Sequence, residues 1–159
     1  MGRLVLTGPD RIAAADHVLS QNVEKIPQGA IRYSLICTPE GTVVDDVLVY
    51  KDADAVHVVI NACGRETDEP WFREHAGGFD VTIENVSDDQ TMLALQGPGS
   101  REVLPGICDV DLATLKYYRF THGRLLGSID ALVSRTGYTD EDGFELFVPR
   151  KSVGSILLI

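Results

Sequence analysis

The sequence predicts an α+β fold made of two similar strand, helix and hairpin units, residues 1–87 and 88–159, and three observations predict it. Leu4-Val5-Leu6-Thr7-Gly8-Pro9 is echoed by Leu93-Ala94-Leu95-Gln96-Gly97-Pro98, as in a diverged internal duplication. A short stretch of helical period follows each copy, ending near Leu19 and Leu104. Each half then carries two strand-like runs joined by a turn, Ile31 to Tyr50 in the first and Ala131 to Val148 in the second.

Arg3 to Leu6 reads as a short strand that stops at Gly8-Pro9, and Pro9 with Asp10 behind it is a helix start signal. Ile12, Ala15, Val18 and Leu19 then share one helical face. Ile31 to Cys37 and Thr42 to Tyr50 form a hairpin across Thr38-Pro39-Glu40-Gly41, with Pro and Gly where a tight turn wants them. Val56 to Ile60 is a buried strand, and Thr67-Asp68-Glu69-Pro70 opens a helix ended by Gly77-Gly78. Phe79, Val81 and Ile83 alternate as in a strand. In the second half, Ala131 to Thr136 and Phe144 to Val148 flank the turn Gly137 to Gly143, and Lys151 to Ile159 begins an apolar helix with no C-cap. That uncapped end, and a strand that starts almost at Met1, predict a stretch cut from a longer chain.

The 159 residues, 44% hydrophobic and 24% charged, suit globular packing into one domain or two small ones and exclude disordered, fibrous and membrane-spanning classes. A formal charge of -10 repels nucleic acid. Cys37, Cys63 and Cys108 form no CxxC pair and no zinc set, so they read as reduced, mostly buried thiols in a cytoplasmic or organelle-matrix protein. The four histidines lack metal-ligand spacing and read as structural, and no metal is expected.

Asp45 and Asp46 interrupt the apolar run Val43 to Val49, and because strand neighbours point to opposite faces only one of them can serve a given cleft. The alternatives are a solvated edge strand and an acid held against an apolar wall, where its ionisation is tunable. Asn61 closes a buried strand, as turn residues do. Glu145 lies inside Phe144-Glu145-Leu146-Phe147-Val148 and must find donors or solvent; a heterocycle with an amino group beside a ring N–H presents two parallel donors to such a fork. On a twofold arrangement of the halves, Asp46 and Glu145 would stand at corresponding places. The 135–145 stretch is not an EF-hand, because Tyr138 and Pro149 fall where acids belong, and Gly97-Pro98-Gly99 lacks the third glycine of a dinucleotide fingerprint.

Taken in order, Arg32-Tyr33-Ser34, Gly41 to Tyr50, Val59-Ile60-Asn61-Ala62, Leu93 to Pro98 and Arg135 to Glu145 resemble the glycine cleavage system T-protein family, aminomethyltransferases that use tetrahydrofolate. The resemblance covers the whole chain, but the family is longer at both ends, with an Arg-bearing helical region and a C-terminal barrel domain after it. It implies an α+β folate-binding domain whose units surround a folate cavity. It implies that Asp46 is the acid beside folate N10, that Tyr33 and Asn61 line the pterin pocket, that Glu145 clasps the pterin edge and that Tyr138 walls it. The implied partner is the lipoylated H-protein, whose aminomethyl group passes to tetrahydrofolate to give 5,10-methylenetetrahydrofolate, ammonia and reduced lipoyl. One departure is Asp140, which replaces a glycine in the family's turn; if that glycine uses positive φ, Asp strains the turn but tolerates it better than most residues. The other readings are a related folate-dependent demethylase of the sarcosine, dimethylglycine or dimethylsulfoniopropionate type, and a folate-binding fragment without activity. A relative that assists iron-sulfur maturation would carry Cys before the tyrosine, where this chain has Gly137.

Overall fold

The computed structural model describes residues 1–158, and the chain divides into two compact units at Ser87 and Asp88. The fold is α+β, with one antiparallel sheet in each unit. In the first, β1 (Gly2–Thr7), β2 (Ala30–Cys37), β3 (Val43–Lys51), β4 (Val56–Ile60) and β5 (Thr82–Asn85) lie in the order β2-β3-β4-β1-β5. Helices α1 (Arg11–Val18) and α2 (Arg65–His75) cover one face of that sheet. Leu4, Leu6, Val47, Val49, Val56, Val58 and Ile60 point into that layer against Ala14, Ala15 and Phe72. The alternate residues Tyr50 and Val59 are buried on the opposite face, so β3 and β4 carry apolar side chains on both sides.

Gly8, at φ +104°, makes the sharp exit from β1, and a Cβ there would meet the Asp80 carbonyl oxygen at 2.8 Å. The helix starts at Arg11, two residues later than Pro9 suggests, and the Asp10 carboxylate accepts the Asp80 amide at 2.9 Å instead of capping. Helix α2 likewise opens at Arg65, ahead of the expected Thr67, so Pro70 lies inside it and removes one backbone donor. Its acidic first turn, Glu66 and Asp68, suits the positive end of the helix dipole.

The second unit contains β6 (Gln90–Gln96), α3 (Ser100–Val103), β7 (Phe120–Leu125), β8 (Ile129–Ser134), β9 (Gly143–Pro149) and α4 (Val153–Leu157), with strand order β6-β9-β8-β7. The expected helix over Lys151 to Ile159 begins as a tighter 3-10 turn, Arg150–Ser152, and its last residue, Ile159, lies outside the described residues. Strand β7 was not legible in the sequence. In Phe120-Thr121-His122-Gly123-Arg124-Leu125 only the two ends are buried, so no apolar alternation marks it.

The strand order β7-β8-β9-β6 reproduces β2-β3-β4-β1. Leu4 faces Val58 where Leu93 faces Leu146, and Leu48 faces Val59 where Leu132 faces Phe147. Gly97, at φ +106°, repeats the turn of Gly8. The hairpin from Ala131 to Val148 therefore corresponds to β3 and β4 rather than to β2 and β3, one strand along from the expected match. Asp46 stands where the second unit has Asp130, and Glu145 stands where the first has His57.

All three cysteines are free, but Cys63 is exposed in the turn after β4 and Cys37 and Cys108 are half-buried, which corrects the expectation of mostly buried thiols. No helix among the described residues is long and apolar enough to cross a membrane.

Candidate functional site

The middle of β2, the start of β3 and the residue after β4 bring Tyr33, Asp45, Asp46 and Asn61 together in the first unit. Val47 and Val49 face the helices, so the pleat turns Asp45 toward α2 and Asp46 the other way. Tyr33 pairs with Leu48 and Leu35 with Asp46, which puts Tyr33 and Asp46 diagonally on one face. The Tyr33 hydroxyl hydrogen-bonds the Asp46 carboxylate, and slight burial, then the Asp46 and Asp45 charges, push the phenol up. Tyr33 is 49% exposed and Asp46 is also exposed, so this face is open to a ligand.

Asn61 ties the two acids together. Its Nδ2 donates to Asp45 Oδ1 at 2.9 Å, to Asp46 Oδ1 at 3.1 Å and to the Asp46 carbonyl at 3.2 Å, and the Asp46 amide also donates to Asp45 Oδ1 at 2.9 Å. Asn61 is thus more than a strand-ending turn residue. Behind Asp45, the fully buried Asp68 side chain on α2 hydrogen-bonds it, with Thr67 Oγ1 donating to Asp68 Oδ1 at 3.1 Å. Both acids crowd over Gly64, where a Cβ would land 2.5 Å from Asp68 Oδ2. Burial, then the hydrogen bond with Asp45, raises the Asp68 carboxyl to about 7. Burial acts on Asp45 in the same direction, but hydrogen bonds from Asn61, Asp68 and two backbone amides hold it below the usual carboxylate range.

In the second unit Glu145 is 4% exposed and meets a donor of this chain: Thr136 Oγ1 donates to its Oε2 at 2.5 Å, and Ser134 Oγ lies 2.8 Å from Thr136 Oγ1. Tyr138, 87% exposed, stands on the neighbouring 135–143 loop. Asp142 pins that loop by bonding Arg135 Nε at 2.8 Å and Arg101 Nε at 2.6 Å, and chiefly the Arg135 hydrogen bond lowers its carboxyl to about 2. Asp140 takes φ +58°, the left-handed conformation its place in the turn demands. Gln96 fills the base of the loop: its Nε2 bonds the Thr136 and Phe144 carbonyls at 3.1 Å, and its Oε1 takes the space a side chain at Gly137 or Gly143 would need.

Asp68, Gly64 and Thr136 touch the candidate residues and carry no local sequence signal of it. In the sequence Asp68 belongs to a helix start signal, and nothing local distinguishes it from a solvated first-turn acid. His57, read as structural, is 8% exposed between Arg3 and Asp52. The Arg3 guanidinium can only donate, so His57 Nδ1 accepts at 3.1 Å and the ring proton sits on Nε2, which is 3.4 Å from Asp52 Oδ2. Burial lowers Arg3 to about 10 against the opposing pull of Tyr50 and Asp52. The described residues contain no group of His, Cys, Asp and Glu that could hold a metal ion.

Residues 1–157 match the family model described as the GCVT N-terminal domain. Curated relatives include an aminomethyltransferase of Acidobacterium capsulatum, 44% identical over 94% of this chain, and one of Moorella thermoacetica, 43% identical over 92%. The chain spans only 40% of the length of each. Among solved structures, the glycine cleavage system aminomethyltransferase T of Bartonella henselae superposes with a TM-score of 0.86 at 24% identity, over 99% of this chain and 43% of that one. A heterotetrameric sarcosine oxidase of Corynebacterium sp. U-96 gives 0.66 at 17% identity, over 96% of this chain and 73% of that one. At these identities the two structures speak for the fold.

Proposed function

This chain belongs to the GCVT N-terminal domain family, and from that membership we propose that it is the folate-binding part of a glycine cleavage system aminomethyltransferase. Its reaction would pass the one-carbon unit of aminomethyl-lipoyl H-protein to tetrahydrofolate, giving 5,10-methylenetetrahydrofolate and ammonia and releasing the lipoyl arm as its reduced dithiol. A cytoplasmic location, or a mitochondrial matrix in a eukaryote, belongs to the same proposal. The observation that carries it is the exposed Asp46 carboxylate, held between the Asn61 amide and the Tyr33 hydroxyl.

The donor and acceptor inventory fits a reduced pterin. Asp46, fixed from two sides, would accept a hydrogen bond from the N10–H, orienting that nitrogen and taking its proton as the new C–N bond forms. Tyr33 offers an aromatic face beside it, and Asn61 keeps the carboxylate from rotating away. In the second unit, Glu145 supplies the acceptor fork for the amino and ring N–H edge, steadied by Thr136, and Tyr138 supplies an exposed aromatic wall. Tetrahydrofolate provides the accepting nitrogens; the chain binds, orients and takes the proton. On this reading residues 1–87 and 88–159 are the first and second α+β units of the folate-binding region.

Calorimetric titration of this chain with tetrahydrofolate tests the proposal. Glu145→Gln is expected to weaken binding at least tenfold, since an amide cannot accept from both donors. Asp46→Asn is expected to bind within a few-fold of the parent while the full-length enzyme carrying it loses roughly 10²- to 10⁴-fold in transfer rate. Parent-like binding by Glu145→Gln, or undiminished transfer by Asp46→Asn, would remove the assigned roles.

A further inference from the structure

Asp45 Oδ2 and Asp68 Oδ2 are both buried without a hydrogen-bond partner when the two acids are drawn as carboxylates. Two orphaned acceptors facing each other in a dry site are costly. The remaining oxygens leave one solution. Asp68 Oδ1 accepts from Thr67 Oγ1, and Asp45 Oδ1 accepts from Asn61 Nδ2 and the Asp46 amide, so a single proton on Asp68 Oδ2, donated to Asp45 Oδ2, satisfies every oxygen of the pair. Gly64 permits the approach by having no side chain.

The fold does not require acids here. Counted from the register-equivalent residues His57 and Glu145, α2 and α4 both begin eight residues on, Ser152 taking the N-cap place of Gly64. By that correspondence Ile156 occupies the place of Asp68, and the strand register puts Ile129 in the place of Asp45; both belong to the apolar core of the second unit.

We propose that Asp68 is a positioning residue: its protonated carboxyl fixes Asp45, Asp45 fixes the Asn61 amide, and Asn61 holds the Asp46 carboxylate for the ligand. The role of Asp46 rests on the function proposed above; the proton-sharing pair does not. The charged groups about Asp68 are few. From β3 they are Asp45 and, beyond it, Asp46. On its own helix, Arg65 lies along Gly2 and acts on Glu69. From α1, which also packs on α2, Arg11 bonds the Gly8 and Ala53 carbonyls, Asp16 accepts the Val23 amide, and His17 packs on Phe79. With no cation among the described residues paired to it, the shared proton leaves at unusually high pH, near 7, and its loss sets two like charges over Gly64.

The test follows the Asn61 side-chain amide by NMR against pH, alongside tetrahydrofolate affinity by calorimetry at pH 6 and pH 8.5. In the parent chain the amide resonances should move with a midpoint near 7, and affinity should fall severalfold between the two pH values, because the Asn61 amide itself shifts on the exposed face, a change that Asp46→Asn leaves unmade. Asp68→Asn keeps a donor to Asp45 Oδ2, so it should bind like the parent at pH 6, hold that affinity at pH 8.5 and show no titration near 7. Asp68→Leu keeps the volume without the donor and should bind more weakly at both. A titration near 7 that survives in Asp68→Asn, or parent-like affinity and amide shifts in Asp68→Leu, would overturn the inference. If neither parent nor variants bind tetrahydrofolate, the functional proposal fails, while the amide titration alone still decides for or against the pair. Should Asp68→Leu not fold, Asp68→Asn decides it.

Discussion

The two units share a strand order and differ in what they set at the same places. The first has Asp45, Asn61 and Asp68 where the second has Ile129, Pro149 and Ile156. The second version is ordinary core, and the first is a hydrogen-bonded polar set leading to an exposed acid. One frame accepts both, so the polar set answers to something other than packing. The contrast extends to Asp46 and its counterpart Asp130. Across the sheet from Asp130 is Arg124, whose Nε lies 3.2 Å away, whereas across from Asp46 is Leu35, so the Asp46 charge has no cation opposite.

A third correspondence runs the other way. His57 reaches Asp52, and Glu145 reaches Thr136, so both units build a hydrogen bond from the strand beside β1 or β6 to a residue just beyond β3 or β8. The frame keeps this bridge in both copies and exchanges its acid between the two ends.

These differences can be broken one at a time. The largest effect is expected from Leu35→Arg, which gives Asp46 the cation that Asp130 has. It should reduce transfer by the full-length enzyme by roughly 10²-fold, approaching the loss of the acid itself, with little change in thermal midpoint. Wild-type turnover would show that Asp46 need not be uncompensated. Next, the double change Asp45→Ile with Asp68→Ile copies the second unit into the first. Urea unfolding at pH 8 should show a gain of about 1–4 kcal/mol, as when a buried polar pair yields to packed apolar groups, together with weakened folate binding. A large loss of stability would mean that the first unit cannot hold the apolar version.

Thr136→Val removes the donor to Glu145 and should cost about 1.5–3 kcal/mol, more than a neutral hydrogen bond because the acceptor is a buried acid. An effect below about 0.5 kcal/mol would show that Glu145 is satisfied without it.

Stability against pH separates the units further. Because the folded Asp68 carboxyl is raised to about 7, its contribution is complete below the unfolded value near 4 and is lost as pH rises through 7. Asp68→Asn should flatten that decline. Asp142, lowered to about 2, has the opposite sign, contributing above the unfolded value and losing its contribution as pH falls toward 2. Asp142→Asn should erase this acid limb with the smallest effect of the set, about 1 kcal/mol or less, since the pair with Arg135 and Arg101 is partly exposed. Denaturation midpoints at pH 3, 5 and 8 distinguish the two signs.

The strands from Arg3 to Leu6, Ile31 to Tyr50 and Val56 to Ile60 were legible because their apolar residues follow the faces they bury, and the Gly-Pro echo was legible because both glycines serve the same left-handed turn. The exposure of Asp46 against the half-burial of Asp45 also follows from alternation along one strand. Family membership is likewise written in local motifs. Strand β7 was not legible, since it exists by pairing with β8 rather than by its own pattern, and missing it displaced the match between Glu145 and the first unit by one strand. Only the tertiary structure decided that Asp68 meets Asp45, that Thr136 meets Glu145, and that Arg3 sets the proton of His57. Periodicity reports which face of an element is apolar, because that is a property of neighbouring residues. Which buried polar groups meet depends on strand register and helix placement across long stretches of chain, and in a dry interior those meetings set where the protons reside.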